Sequence, residues 1–505
     1  MLRSLYISVL LLLCIAATAQ DSLRFSETFK FHKNMASLTC VTTHDQEFLT
    51  IEEVNAQEYT IALQLLDANG LKRQSKTHII GIQEKERLKV NNAIPTKRSV
   101  IVLLSSYDRK SNRLKAYALI IDPKTLDISE PISLLSAETD MDSPLHWAIS
   151  PDSTKIAAFF EAFPGKINEQ TIHLATLNEE GISMWDRELA LPYGSELAQV
   201  HQCAIDDYEN VYLMSGKNPT KGFNRELRTA AGRYLVFHFN YAENKLKEFD
   251  ISLKDKQVVA AKGMLTKNNE MIVAGYYSND YSFNVAGTFM FRISPDGPKL
   301  ENAAYTALPE DIIVKIIGER DAKRRPEIEN LYLDYLFVKN EKLYLIGERF
   351  DINERVFMDP ATGRTMVETI HYYEDIVVVI GDFTGKITYT SSIPKIQYST
   401  FDRDKCGYNV FFNGEKMRFY YNDHPDNLDS KKDFSQVRPA AWNGSRNASV
   451  MQVVLEENTS PAFSHLMEAK KSTGLLTPGL GTEQTFGPAF LGFLHNRDYK
   501  FLFVK

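Results

Sequence analysis

Short runs rich in Val, Ile, Leu, Phe and Tyr recur along this chain at roughly ten-residue intervals, each closed by a cluster of Asp, Asn, Pro or Gly, and helical periodicity is scarce. Such runs must pair laterally and then bury their faces, which leaves a sandwich, a barrel or a propeller. The turn chemistry agrees. Asp67-Ala68-Asn69-Gly70, Ser150-Pro151-Asp152-Ser153, Asn178-Glu179-Glu180-Gly181, Asp382-Phe383-Thr384-Gly385 and Asn413-Gly414 all supply residues that tight hairpins require.

Taken in fours, the runs form units that begin near Ser37, Leu88, Leu145, Ala198, Gln257, Leu331, Gly407 and Phe486. A four-stranded blade takes about 40 to 50 residues plus insertions, so seven complete units fit. The eighth has only two runs before the C-terminus, residues 485–494 and 499–504. Residues 23–31 alternate like a strand, have no hairpin partner, and are placed to complete it. The expected fold is all-β, a single β-propeller of eight blades whose last blade is closed by N- and C-terminal strands, because that closure removes two exposed edges. Seven blades is the nearest alternative, and two stacked β-sandwiches also fit the spacing. No Pro-, Gly- or Ser-rich linker divides the chain.

Two segments carry a resemblance. Ser150-Pro151-Asp152-Ser153, between Trp147-Ala148-Ile149 and Ile156-Ala157-Ala158-Phe159, and Ser294-Pro295-Asp296-Gly297 resemble the S-P-D-G turn of TolB- and WD40-like propeller blades. The second copy departs from the usual placement, falling between the third and fourth strands of its unit. The leader ending Ala19-Gln20, and Phe419-Tyr420-Tyr421-Asn422-Asp423-His424 followed by Asn427-Leu428, are similar to uncharacterised exported Bacteroidetes proteins. The resemblance implies export and a propeller-like fold, and no activity.

Arg3, the apolar run of residues 5–16 and the small residues Ala17 and Ala19 form the three regions of a secretory signal peptide, with cleavage expected after Ala19. The run is shorter than the roughly 20 residues that cross a bilayer. The mature chain, residues 20–505, is therefore expected to be soluble, periplasmic or extracellular, with no membrane span. It keeps Cys40, Cys203 and Cys406, an odd number that excludes a disulfide scaffold, and their strand-like surroundings read as buried thiols. The net charge of -7 argues against nucleic acid.

Under the blade assignment, connections between first and second, and third and fourth, strands lie on one face and stay at about two to five residues. The opposite face receives long insertions at 217–232, 309–330, 351–365, 422–446 and 469–484. Long loops within a compact domain are commonly functional. Residues 309–324 have the Pro and acidic start and basic end of a helix, and residues 223–231 are a shorter candidate.

No nucleophile elbow, zinc, nucleotide-binding or C-x-x-C redox signature occurs. The candidate binding residues on the elaborated face are Arg225, Arg349 and Asp351 beside Glu348, His371 and Tyr373 beside Tyr372, and Tyr421, Asp423 and His424. Rings flanked by charged groups suit a polar ligand. No cofactor is expected. Oxygen-rich loops can hold Ca²⁺, so Ca²⁺ is the alternative at Asp423, Asp426 and Asp429, where an Asx-turn network through Asp423 and Asn427 accounts for the same residues. The expected function is a non-enzymatic binding or scaffold propeller that presents this face to a protein, peptide or glycan. The alternative is a carbohydrate-active hydrolase or lyase, which needs paired carboxylates.

Overall fold

The computed structural model describes residues 24–30, 35–55, 59–81, 88–139, 143–162, 170–192, 199–216, 234–279, 283–295, 299–301, 303–358, 363–400, 403–428, 437–441, 448–467, 475–478, 489–495 and 498–504. The expected leader and the insertion holding Arg225 lie outside them.

Among the described residues eight sheets follow one another in chain order, antiparallel but for one pair in the sixth, where Gln397–Ser399 runs parallel to Ala440–Ala441. The first strands of sheets one to seven are Met35–Thr42, Leu88–Pro95, His146–Ile149, Val200–Ile205, Gln257–Leu265, Leu331–Lys339 and Asn409–Asn413, close to the starts expected from the spacing. Letters A to D name the strands of each sheet in chain order. The second strands read as unbroken apolar runs, for example Val100-Ile101-Val102-Leu103-Leu104, because both faces of each sheet are covered. Alternate residues go to different neighbours. Val100, Val102 and Leu104 pack with sheet one, while Ile101 and Leu103 pack with sheet three. The same rule runs through successive sheets, and the last cluster sets Phe48 and Leu66 of sheet one against Tyr499, Phe501 and Phe503 of sheet eight. The chain is therefore a β-propeller, a closed ring of sheets joined through apolar layers.

Both ends of the chain build the eighth sheet. Ala489–His495 and Asp498–Val504 are its middle strands, and Arg24–Phe25 and Phe29–Lys30 pair with the latter on the outside. Its innermost strand is Leu475–Leu476, which lies within the segment read from sequence as an insertion. Asn422 secures this short strand by using its amide as a strand neighbour. Its Nδ2 donates to the carbonyls of Leu476 and Lys405, and its Oδ1 accepts from the Leu476 N–H.

At the seam, the Ser26 N–H donates to the Phe501 carbonyl at 2.8 Å and the Phe501 N–H to Ser26 Oγ at 2.9 Å. The Tyr499 hydroxyl donates to Glu52 Oε1 at 2.5 Å, linking sheet eight to sheet one. Gly70, with φ of 78°, brings a turn of sheet one onto the same seam, where an added Cβ would stand 2.2 Å from Phe503 and 2.7 Å from the Ser26 backbone.

Most short-face turns have the expected length, with Asx caps such as Asp67, whose Oδ1 accepts from the Asn69 and Leu71 N–H groups. Two are longer. Residues 122–131 and 294–303 carry isolated bridges, Ile121 with Ile128 and Ile293 with Leu300, that delay the fourth strand. Among the described residues no helix is long and apolar enough to cross a membrane. Cys40, Cys203 and Cys406 are free thiols, Cys203 and Cys406 buried and Cys40 half-buried.

Gly70→Ala adds both a left-handed backbone penalty and a seam clash. Its expected cost is at least about 2 kcal/mol, measured by urea unfolding; a change below about 0.5 kcal/mol would show that the seam does not need this close approach.

Candidate functional site

Strand order places the connections from second to third strand, and from fourth strand to the next sheet, on one face. The described parts of the long segments in sheets five to seven occupy it. Residues 309–330 form two helices, α1 (Glu310–Ile317) and α2 (Glu319–Arg324), interrupted at Gly318. Ile312, Ile313 and Ile316 of α1 pack into the layer between sheets five and six. Glu327 fastens the segment beyond α2, accepting from the Asn279 N–H at 2.9 Å and the Ser278 hydroxyl at 3.2 Å. Residues 351–358 belong to a strand, Lys342–Met358, whose hairpin partner is Thr365–Asp382.

A cavity of about 640 Å³ opens between the helix pair and the second strand of sheet six. Val314, Ile316 and Ile317 supply apolar wall. The charged lining is balanced, with Lys315, Arg324, Arg325 and Arg349 against Glu319, Asp321, Glu327 and Glu329. Among the described residues that line it none is aromatic. Several of these charges are already engaged: Arg324 with Asp321 at 3.3 Å, and Arg325 with Glu327 at 3.9 Å.

Arg349 forms the inner wall. The hairpin register shifts between Glu348 and Phe350, so that Glu374 and Asp375 together oppose Arg349, a β-bulge. The bulge turns both carboxylates toward one guanidinium: Arg349 Nη1 lies 3.2 Å from Glu374 Oε2 and 3.4 Å from Asp375 Oδ2. The two acids are thus no more than about 7 Å apart, below the outer limit for glycosidase carboxylate pairs. Asp375 is buried. Burial, partly offset by Arg349 and reinforced by Glu374, pushes its carboxyl up to about 7.

Beneath the bulge lies an ion pair with both side chains fully buried, Lys395 Nζ to Glu348 Oε1 at 2.6 Å. Lys395 Nζ also donates to Gln397 Oε1 at 3.0 Å and to the Tyr373 carbonyl at 3.3 Å. Gln397 continues outward to the Asn422 carbonyl at 2.7 Å and to the Gly407 N–H at 2.8 Å. This chain of bonds, charge-assisted at Lys395, ties sheet six to sheet seven.

Of the residues singled out from sequence, Arg349 lines the cavity. Asp351, one strand residue beyond Phe350, accepts from Asn330 Nδ2 at 3.4 Å and holds the end of the helical insertion. His371 and Tyr373 turn inward. His371 stacks on Phe350 at 6.0 Å, and Tyr373 meets Phe350 at 4.9 Å while its hydroxyl accepts from Arg403 Nε at 3.2 Å. Burial, with Arg403 adding to it, lowers the His371 imidazole; burial raises the Tyr373 phenol. The half-exposed aromatic pair on that extension is Tyr372 with Tyr398, at 5.8 Å. Tyr421 is fully buried between sheets six and seven, since the middle strands have no solvent face, and burial pushes its phenol well up. Asp423 is buried, its Oδ1 accepting from the His424 N–H and Asn427 Nδ2. Asn427 in turn bridges to Arg438 through both backbone groups. That is the Asx-turn network; His424 lies beside Asp426 at 3.8 Å. Among the described residues, no group of three or more His, Cys, Asp or Glu is placed to hold a metal ion.

Sequence reasoning missed Glu374, Asp375, Lys395 and Gln397. A signal was present for the first two: adjacent acids directly before Ile376-Val377-Val378-Val379-Ile380 break the alternation of a strand, as a bulge does.

No protein-family model and no curated protein matches the chain. Among solved structures, it is similar to a prolyl endopeptidase (9% identity, TM-score 0.39, covering 92% of this chain and 54% of that one). It is also similar to the acylaminoacyl peptidase of Pyrococcus horikoshii (10%, 0.35, 94% and 58%), and to a family PL25 ulvan lyase (10%, 0.39, 82% and 91%). The chain spans about half the length of the prolyl endopeptidase.

Two stability measurements check the site. Asp375 binds a proton up to about pH 7 when folded and only to about 4 when unfolded. Its burial therefore costs nothing at low pH, and the cost grows as pH rises between those values. Asp375→Asn is expected to match the wild type near pH 4 and to exceed it by about 1–3 kcal/mol near pH 8; equal stability loss at both pH values contradicts the assignment. For the buried pair, Lys395→Met alone is expected to cost about 3–5 kcal/mol, and Lys395→Met with Glu348→Leu to recover most of that loss. Additive losses in the double-mutant cycle would show that the two side chains act independently.

Proposed function

We propose that the protein is a binding propeller whose ligand is a peptide segment held in the cavity between the α1–α2 insertion and Arg349. The observation that supports this reading most is the lining. Equal numbers of acidic and basic side chains, set around an aliphatic wall, complement a segment of mixed charge and not a polyanion. A glycan site would draw on ring faces to cover sugar faces, and the described residues of this lining include none. The framework behind the lining is fixed by the bulge and by the buried Glu348–Lys395 pair, so the wall is preorganised. Export, as the leader implies, would give such a site peptides or protein loops outside the cytoplasm.

The carbohydrate-active reading has one observation in its favour, the close Glu374 and Asp375 carboxylates with one proton affinity raised. Both are held by Arg349, and Asp375 is buried behind it. A general acid must reach the leaving oxygen, so this pair fits a structural clasp better than a catalytic dyad.

The test measures binding of a library of short peptides of mixed charge, and of neutral and acidic oligosaccharides, by fluorescence anisotropy and calorimetry. Peptide binding is expected, weakened about tenfold by Lys315→Ala or Glu329→Ala, both exposed positions on the rim. Binding of oligosaccharides alone, or peptide binding indifferent to both substitutions, would overturn the proposal.

A further inference from the structure

The cavity lining is balanced in total and uneven from one wall to the other. On the helix side Glu319 lies 3.5 Å from Lys323 and Asp321 lies 3.3 Å from Arg324. Arg325 and Glu327, 3.9 Å apart, offset each other in the same way. The charge left over among the lining residues of that side is the exposed ammonium of Lys315.

The sheet-six wall has the opposite surplus. Arg349 is its one cation, and three carboxyl groups stand around it. Glu374 lies at 3.2 Å and Asp375 at 3.4 Å. Glu329 accepts from Arg349 Nε through its carbonyl at 3.4 Å, and its own exposed side chain lines the cavity. Lys395 behind them is already matched by Glu348. One guanidinium does not neutralise three carboxylates, so the wall keeps an excess of about one negative charge when Asp375 holds its proton and about two when it does not. A ligand group in the cavity meets Glu329 and Arg349 directly and feels Glu374 and Asp375 through their field.

We propose that this wall holds a cationic group of the bound peptide, a lysine or arginine side chain, with Lys315 opposite taking an acidic group. The proposal rests on the cavity being a peptide site, and it fixes which end of the mixed-charge segment goes where. An acidic group at the wall would join a surplus of its own sign, beside a guanidinium already shared by two carboxylates. A lysine or arginine stays charged at neutral pH, and its apolar stem suits the aliphatic lining.

A pH dependence follows from the same geometry. Facing Asp375 are Arg349 and Glu374 on its own hairpin, Lys395 on the segment between Ile393 and Gln397, and the Tyr421 phenol from sheet seven. Burial pushes Asp375 up to about 7, so it loses its proton as pH rises through neutrality, and the wall gains its second negative charge there. Affinity for a cationic group therefore rises over the same interval.

Calorimetry of the full chain tests this with short N-acetylated, C-amidated peptides carrying one lysine and one aspartate, beside the same peptides with the lysine acetylated. Acetylation is expected to weaken binding at least about tenfold. Affinity for the lysine peptide is expected to rise about fivefold from near pH 6 to near pH 8, and Asp375→Asn to abolish that slope. Glu374→Gln is expected to weaken the lysine peptide severalfold and leave the acetylated one unchanged. Equal binding of both peptides, or a pH slope that is flat or survives Asp375→Asn, overturns this proposal and leaves the peptide site standing. Binding of neither peptide overturns the peptide reading itself, and this proposal with it.

Discussion

A ring of sheets stands or falls on its seam. Each of the first seven sheets is covalently continuous with the next, but the eighth meets the first only because the two ends of the chain hydrogen-bond side by side. Ser26 and Phe501 exchange donor and acceptor, Tyr499 reaches a glutamate buried in sheet one, and Gly70 allows the closest approach. Without that seam, Phe48, Phe501 and Phe503 would lose their apolar cover and two sheet edges would open. Closing the ring also buries both faces of each sheet, which is why the middle strands are continuously apolar.

On the rim the chain spends its irregular structure unevenly. Sheets five to seven carry the helix pair, the bulge, the long hairpin and the Asx network, all at one end of their strands. These devices are linked: Glu327 anchors the helices on sheet five, Asp351 and Arg349 meet them from sheet six, and the Glu348–Lys395–Gln397 chain passes to sheet seven, where Asn422 takes it to sheet eight. A buried ion pair adds little net stability compared with well-packed apolar residues. Its value here is positional, holding the bulge that aims Arg349 at the cavity.

The fold was legible in the sequence because it follows from strand spacing and turn chemistry, each a local property. The unit starts at Leu88, Gln257 and Leu331, and the use of both chain ends in one sheet, come from that spacing. Leu475–Leu476 was not legible: two residues make no periodic pattern, and it is pairing with Ala489–His495, backed by the amide of Asn422, that makes them a strand. The site was legible in part. Arg349 lines the cavity as a residue at a strand end on the elaborated face. Tyr421, His371 and Tyr373 were misplaced because propeller sheets are covered on both sides, so polar-looking aromatics turn inward. The partners of Arg349 depend on a one-residue register shift, which no spacing rule announces.

The central claim is that the elaborated face, between α1–α2 and the second strand of sheet six, is where a ligand is held. Hydrogen–deuterium exchange of the full chain, with and without a saturating mixed-charge peptide, tests it most directly. Protection is predicted in residues 314–329 and around Arg349, with the short turns of the opposite face unchanged. Protection confined to those opposite turns, or to the first strands His146–Ile149 and Val200–Ile205, would contradict the account.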